Sequence, residues 1–135
     1  MESNTAPETA ETRDERERLS QKFQRELNAG LVGLVPLAVL EQAEEDLYGY
    51  QIAKRLQDLA NGSPPVKQGA LYPVLRQLSA NGLLASRIVP SYAGPPRRYY
   101  KITEAGRGTL AEWRGIWRNT RDFVDGFTEV NGASS

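Results

Sequence analysis

Two residue types are absent from this chain: its 135 residues include no cysteine and no histidine. Without cysteine there is neither a disulfide framework nor a thiolate metal site. Without histidine the commonest general base, the commonest metal ligand and the usual switch near neutral pH are all missing. Long apolar runs are lacking too, since no window approaches the ~20 residues a membrane-spanning helix needs. The segment from Met1 to Ala10 is polar and acidic, with neither the basic start nor the apolar stretch of a secretory signal. These absences predict a cytoplasmic protein that is not an enzyme, carries no metal or cofactor and has no membrane partner.

What is present fits one small domain. Hydrophobic residues make up 39% of the chain and charged residues 25%, enough for a core with little apolar surplus. The formal net charge is zero, but the charges are not evenly spread. Between Lys54 and Arg107 nine bases stand against two acids, Asp58 and Glu104. The compensating acids lie in the N-terminal tail, from Glu41 to Asp46 and toward the C-terminus. A locally basic section of this kind suits a nucleic-acid footprint. Scattered solvated charge is the plainer alternative.

Residues 1–12 lack periodicity and read as a disordered tail, as do residues 130–135 at the other end. Residues 13–30 read as an amphipathic helical arm, with Leu19, Phe23 and Leu27 four apart and Gly30 as its stop. Leu31 to Leu40 is almost wholly apolar, too short for a span, and Pro36 requires a helix start or a kink there. Tyr48 to Ala60 reads as a helix carrying Tyr48, Ile52, Leu56 and Leu59 on one face, ended by Asn61-Gly62. After the Ser63-Pro64-Pro65 turn, a second helix runs from about Lys67 to Ala80, with Pro73 in its early turns. Leu83 to Val89 and Arg97 to Ile102 read as strands joined by Tyr92-Ala93-Gly94-Pro95-Pro96. Thr103 then caps a long helix from Glu104.

The expected fold is mainly α with a small β-hairpin: a winged helix-turn-helix over residues 31–103. An N-terminal helical arm precedes it and a C-terminal dimerisation helix, residues 104–129, follows. In that last helix Leu110, Trp113, Trp117, Thr120, Val124 and Phe127 alternate in steps of three and four, a heptad seam. A domain this small has little core left to cover such a seam, so pairing with a second copy is expected. Leu19, Phe23 and Leu27 are assigned to the same dimer interface. Trp113 and Trp117 serve either packing or an aromatic slot for a planar ligand.

A recognition helix reads bases from its N-terminal half while its neighbours hold phosphates. Lys67, Gln68 and Ala70 stand at that position: Lys suits guanine, Gln adenine and the Ala methyl thymine. Tyr72 and Arg76 are placed for phosphate, although Tyr72 is also open to a core reading. In the second strand, alternation puts Arg97, Tyr99 and Lys101 on one face and Arg98, Tyr100 and Ile102 on the other. With Ile102 facing inward, Arg97 and Lys101 are the preferred phosphate contacts, and Arg98 reaches out from the loop end.

LYGYQIAKRL (Leu47 to Leu56), GALYPVLRQLSANGLL (Gly69 to Leu84) and GPPRRYYKITEAGRGTL (Gly94 to Leu110) resemble the PadR family of bacterial transcriptional regulators. The three blocks occur in the family's order and spacing. The resemblance implies a winged helix, a C-terminal dimerisation helix, and repression through inverted-repeat operators in double-stranded DNA. It also places Tyr48 and Tyr72 near the DNA backbone. Where the family usually carries Thr, this chain has Ala70. The short C-terminal part is similar to the compact branch, some members of which bind planar drugs between tryptophans. The expectation is a homodimeric, sequence-specific DNA-binding repressor released by a planar aromatic effector. The alternative is a winged-helix protein-interaction module without DNA binding.

Overall fold

The computed structural model describes residues 9–59 and 68–129; side-chain placement begins at Gly69 in the second stretch. The chain divides into two compact units, with Leu31 closing the first and Val32 opening the second.

The described part of the first unit is one helix, α1 (Ala10–Leu31), preceded by Thr9. It begins earlier than its periodicity indicates. Thr9 is the cap: its hydroxyl accepts from the Thr12 N–H at 3.1 Å. Residues 10–12, assigned above to the tail, are therefore helical. Gly30 lies inside the helix and is not its stop. No residue of α1 is buried, and Leu19, Phe23 and Leu27 are all exposed. Ion pairs such as Lys22–Glu26 at 2.7 Å line its sides.

In the second unit α2 (Leu34–Gln42) places Pro36 third, inside the first turn, where a missing N–H leaves no helical bond unmade. There follow β1 (Leu47–Tyr48), α3 (Gly49–Leu59), α4 (Gln68–Ala80), β2 (Leu84–Val89), β3 (Arg97–Ile102) and α5 (Glu104–Thr128). The sheet is antiparallel with order β1-β3-β2. Its third strand was not legible in the sequence. β1 pairs Leu47 with Tyr100 and Tyr48 with Tyr99, and two residues are too few to show a period. Tyr48, read above as the start of a helical face, instead ends a strand and caps α3. Its N–H donates to Gln51 Oε1 at 3.1 Å, one half of a capping box.

One core joins all these elements. Leu37 and Leu40 of α2, Ile52 and Leu56 of α3, Leu71, Leu75 and Leu78 of α4, and Tyr100 and Ile102 of β3 share it. The end of α4 is a Schellman turn. Gly82 has φ +79°, the Leu83 N–H reaches Leu78 O at 2.9 Å, and the Gly82 N–H reaches Ser79 O at 3.0 Å. The same stretch anchors the next helix. The Thr103 hydroxyl donates to Gly82 O at 2.7 Å and accepts from the Gly106 N–H at 3.0 Å.

Leu110 corrects the seam. It is fully buried in the core of its own chain, so it is not available to a partner. The first turns of α5 lie over α2 and β3, and they consume the first apolar positions. Trp113 is half-buried against the same core, and Arg114 ties α5 to α2 through Glu41 at 2.7 Å. The exposed apolar face starts one turn later. It comprises Ile116, Trp117, Phe123, Val124 and Phe127, with Phe123 and Phe127 edge to face at 5.0 Å. Among the described residues no helix is long and apolar enough to cross a membrane.

Candidate nucleic-acid interface

The junction of β1 with α3, the exposed side of α4 and the end of β3 together wall an open groove of about 330 Å³. Tyr48, Gly49 and Tyr50 come from the first, Tyr72 and Arg76 from the second, and Pro96, Arg97, Arg98 and Tyr100 from the third. None of these is acidic, while three carry guanidinium groups. Such a site offers fixed cations and tyrosine hydroxyls to an anion, which is what phosphate contacts use.

Local structure explains why each group points there. Helix α4 turns its Leu71–Leu75–Leu78 side to the core, which leaves Arg76 exposed beside Tyr72. The Tyr72 ring lies directly on the backbone of Gly49: a Cβ there would sit 2.2 Å from Tyr72 Cε1. Tyr72 is thus a groove wall and only half-buried, not a core residue. Replacing Gly49 with alanine is expected to swing that ring out of the groove. We expect DNA affinity to fall by about tenfold, the worth of one hydrogen bond to a charged partner. Unfolding should shift little, because the ring is a movable side chain. Fluorescence anisotropy and a thermal melt on the same protein separate the two effects.

On the wing, the β2–β3 hairpin, the Arg97 guanidinium stacks on the Tyr48 ring at 4.5 Å. Stacking occupies the face of the fork and leaves its in-plane N–H groups to donate outward. Tyr48 meets Tyr99 edge-on at 5.3 Å, and Tyr99 carries Arg87 at 5.2 Å on its ring. Arg87 is held in turn by Asp46 at 3.1 Å. Arg98 donates to Ser86 Oγ at 3.1 Å across the hairpin. Burial pushes the Tyr100 hydroxyl above its ordinary range, opposed by the nearby Arg98 and Arg76. Like any tyrosine at neutral pH it carries its proton, and the shift is in the direction that keeps it.

Of the residues singled out from sequence, Tyr48, Tyr72, Arg76, Arg97 and Arg98 converge on this groove. Lys101 is exposed but does not line it. Ala70 is exposed in the first turn of α4. Lys67 lies outside the described residues, and Gln68 is described only as backbone. Sequence reasoning missed Gly49, Tyr50 and Tyr100. A signal for Tyr50 existed, since two tyrosines flank the glycine where strand turns into helix. It missed Ile116 and Phe123 as well, although both fall in step with Thr120 and Phe127.

A three-helix unit closed by a wing, with a basic, tyrosine-walled groove beside its exposed helix, defines a winged-helix DNA-binding regulator. The model of the Transcriptional regulator PadR-like family matches residues 37–112, more than half of the chain. The chain belongs to that family. It is 39% identical over 93 residues to Transcriptional regulator Rv3488 of Mycobacterium tuberculosis, covering 67% of this chain and 81% of that protein. Among solved structures, a PadR family transcriptional regulator from Eggerthella lenta has a TM-score of 0.68 and 33% identity. That match covers 86% of this chain and 97% of the other. A transcriptional regulator from Clostridium thermocellum also reaches 0.68, at 26% identity, covering 77% of this chain and 96% of the other. Family and neighbours alike are transcriptional regulators.

Proposed function

We propose that the chain is a homodimeric repressor that binds an inverted-repeat operator through the groove and the start of α4. The observation that carries this reading is the convergence of Arg76, Arg97 and Arg98 with Tyr48 and Tyr72 on one acid-free groove. In this reading the groove grips phosphates on one strand, which sets the register of α4 in the major groove. Lys67, Gln68 and Ala70, at the leading end of that helix, then read base edges. Lys101 adds a peripheral charge.

One copy reads half a site. The exposed row Ile116, Trp117, Phe123, Val124 and Phe127 supports pairing of α5 with a second copy, because it leaves large apolar side chains in water on an otherwise finished domain. Two recognition helices would then meet successive major grooves about 34 Å apart. Leu19, Phe23 and Leu27 of α1 are assigned to the same assembly. A planar aromatic effector that releases the operator would stack on Trp117, whose neighbour Trp113 packs against the core.

Selection from fragmented genomic DNA at low salt is the test, followed by titration of the recovered site. A palindromic site bound two copies at a time is the expected result. Phe123→Glu should give a monomer whose affinity for the full site is lost, while its melting temperature holds. Adding planar aromatic compounds to the wild-type complex should dissociate it. Recovery of no palindrome would overturn the repressor reading, and a dimeric Phe123→Glu protein would move the interface elsewhere.

A further inference from the structure

An acidic side chain beside a phosphate-binding surface repels DNA, yet Asp46 stands just ahead of β1, two residues from Tyr48. It is the more sheltered member of its ion pair, with 27% of its side chain exposed against 60% for Arg87. Arg87 is held twice. Its Nε donates to Asp46 Oδ2 at 3.1 Å, and its Cζ lies over the Tyr99 ring at 5.2 Å. A planar guanidinium can do both at once. Arg97 is held only by the Tyr48 ring and has no carboxylate partner among the described residues.

Strand register explains the arrangement. Tyr99 of β3 is opposite Tyr48 of β1 on one side and Arg87 of β2 on the other. Residues opposite one another share a face of the sheet, as does Arg97, two positions before Tyr99. Asp46, Arg87, Tyr99, Tyr48 and Arg97 thus form an unbroken row of contacts, with the acid at one end and a groove cation at the other.

We propose that Asp46, Arg87 and Tyr99 are positioning residues for DNA binding: without touching DNA, they brace the Tyr48 ring so that Arg97 is held ready for a phosphate. This rests on the DNA-binding reading above. β1 has only two residues, so Tyr48 gains little support from its own strand. The edge of Tyr99 supplies that support, and Arg87, fixed by Asp46, keeps the Tyr99 ring from turning. An exposed arginine loses rotamer freedom when it grips a phosphate, and one already stacked loses less. Arg87 itself is neutralised by Asp46, which makes it a brace and not a phosphate ligand.

The test uses the full chain, first free and then with DNA recovered by the selection. In the free protein, NMR relaxation of the Arg97 Nε–H group should show it ordered in wild type and looser in Arg87→Ala and Asp46→Ala. An unchanged Arg97 signal overturns the brace without any DNA present. In titrations of the two-copy complex, Arg87→Ala should bind about tenfold more weakly, from about threefold per copy for an exposed cation–π contact. Arg97→Ala should bind about 25-fold more weakly, from about fivefold per copy for an exposed ion pair. The double variant should match Arg97→Ala, because the brace then has nothing to hold. A loss near the product, about 250-fold, would make Arg87 an independent DNA contact and overturn the proposal. Asp46→Ala separates the two by sign. A brace predicts binding about fourfold weaker, whereas charge alone predicts tighter binding once an acid is removed and Arg87 is freed. Equal or tighter binding by Asp46→Ala, or wild-type affinity in Arg87→Ala, overturns the proposal. Melting temperatures should hold, since none of the three substituted side chains is buried. Absence of any wild-type binding overturns the DNA-binding reading itself and leaves the relaxation result standing.

Discussion

Replacing Gly106 with alanine is expected to lower the thermal unfolding midpoint by about 10 °C, the size of shift that roughly 2 kcal/mol produces in a domain of this length. A Cβ at this position would stand 2.2 Å from Leu83 O and 2.7 Å from Ile102 Cγ1. The first is a backbone atom that also accepts the Thr103 N–H at 3.1 Å, so it cannot be moved without shifting the junction of wing and helix. Overpacking costs about 1–3 kcal/mol, and a clash this close with a backbone oxygen falls at the upper end, about 3 kcal/mol. Alanine's better helix propensity returns up to about 1 kcal/mol, which is too little to reverse the sign. Gly108, two residues on, supplies the control. Nothing lies within 4 Å of a Cβ there, so Gly108→Ala should stabilise. Calorimetry of the two variants checks the argument: a Gly106→Ala midpoint equal to wild type would show that the wing yields freely. Because the same junction orients β3, DNA binding should fall with stability in Gly106→Ala and stay unchanged in Gly108→Ala.

The second large effect concerns the groove. Removing all three guanidinium groups, in Arg76→Ala/Arg97→Ala/Arg98→Ala, should weaken DNA binding by about a hundredfold for each bound copy at moderate salt, taking roughly 1 kcal/mol per exposed ion pair. The more telling quantity is the slope of log affinity against log salt. Each neutralised phosphate contributes about 0.9 to it, so the slope should fall by roughly 2.7 per bound copy, about 5.4 for the two-copy complex. Loss should be similar on operator and random DNA, because phosphate contacts carry no sequence information. Lys101→Ala, a cation on the same strand but outside the groove, should change the slope much less. A triple variant with the wild-type slope would mean that the arginines do not meet phosphate. A Lys101→Ala effect as large as the triple would move the contact surface along β3, away from the groove. The fold should survive these changes, since none of the three arginines is buried.

Much of this site could be read before the structure was known, for a physical reason. Arg97 to Ile102 shows a clear period of two, and it is the strand found. Asn81-Gly82 marked the end of α4, and Gly82 does adopt the left-handed conformation that a helix stop requires. Thr103 was readable as a cap because capping is settled within four residues, and its hydroxyl does accept from Gly106. Each of these signals is local. The errors fell where the deciding neighbour is distant in sequence. Tyr48 belongs to a strand because it pairs with Tyr99, about fifty residues later. Leu110 looked like the first step of an intermolecular seam, and periodicity cannot tell which partner covers a face. Alternation ranks Arg97 and Lys101 ahead of Arg98, and it cannot show that Arg98 lines the same groove as Arg97.

Local sequence is enough to set the order of helices and wing, the basic middle section, and the residue types available for phosphate and base contact. These follow from periodicity, caps and composition, all of which act over a few residues. Long-range packing sets the rest: Tyr72 rests on Gly49, Arg97 is stacked on Tyr48, and the apolar row of α5 begins at Ile116 and not at Leu110. Those facts depend on close approaches between segments far apart in the chain. A glycine chosen for the ring above it, or a leucine claimed by its own core, has the same local signature as one chosen for anything else.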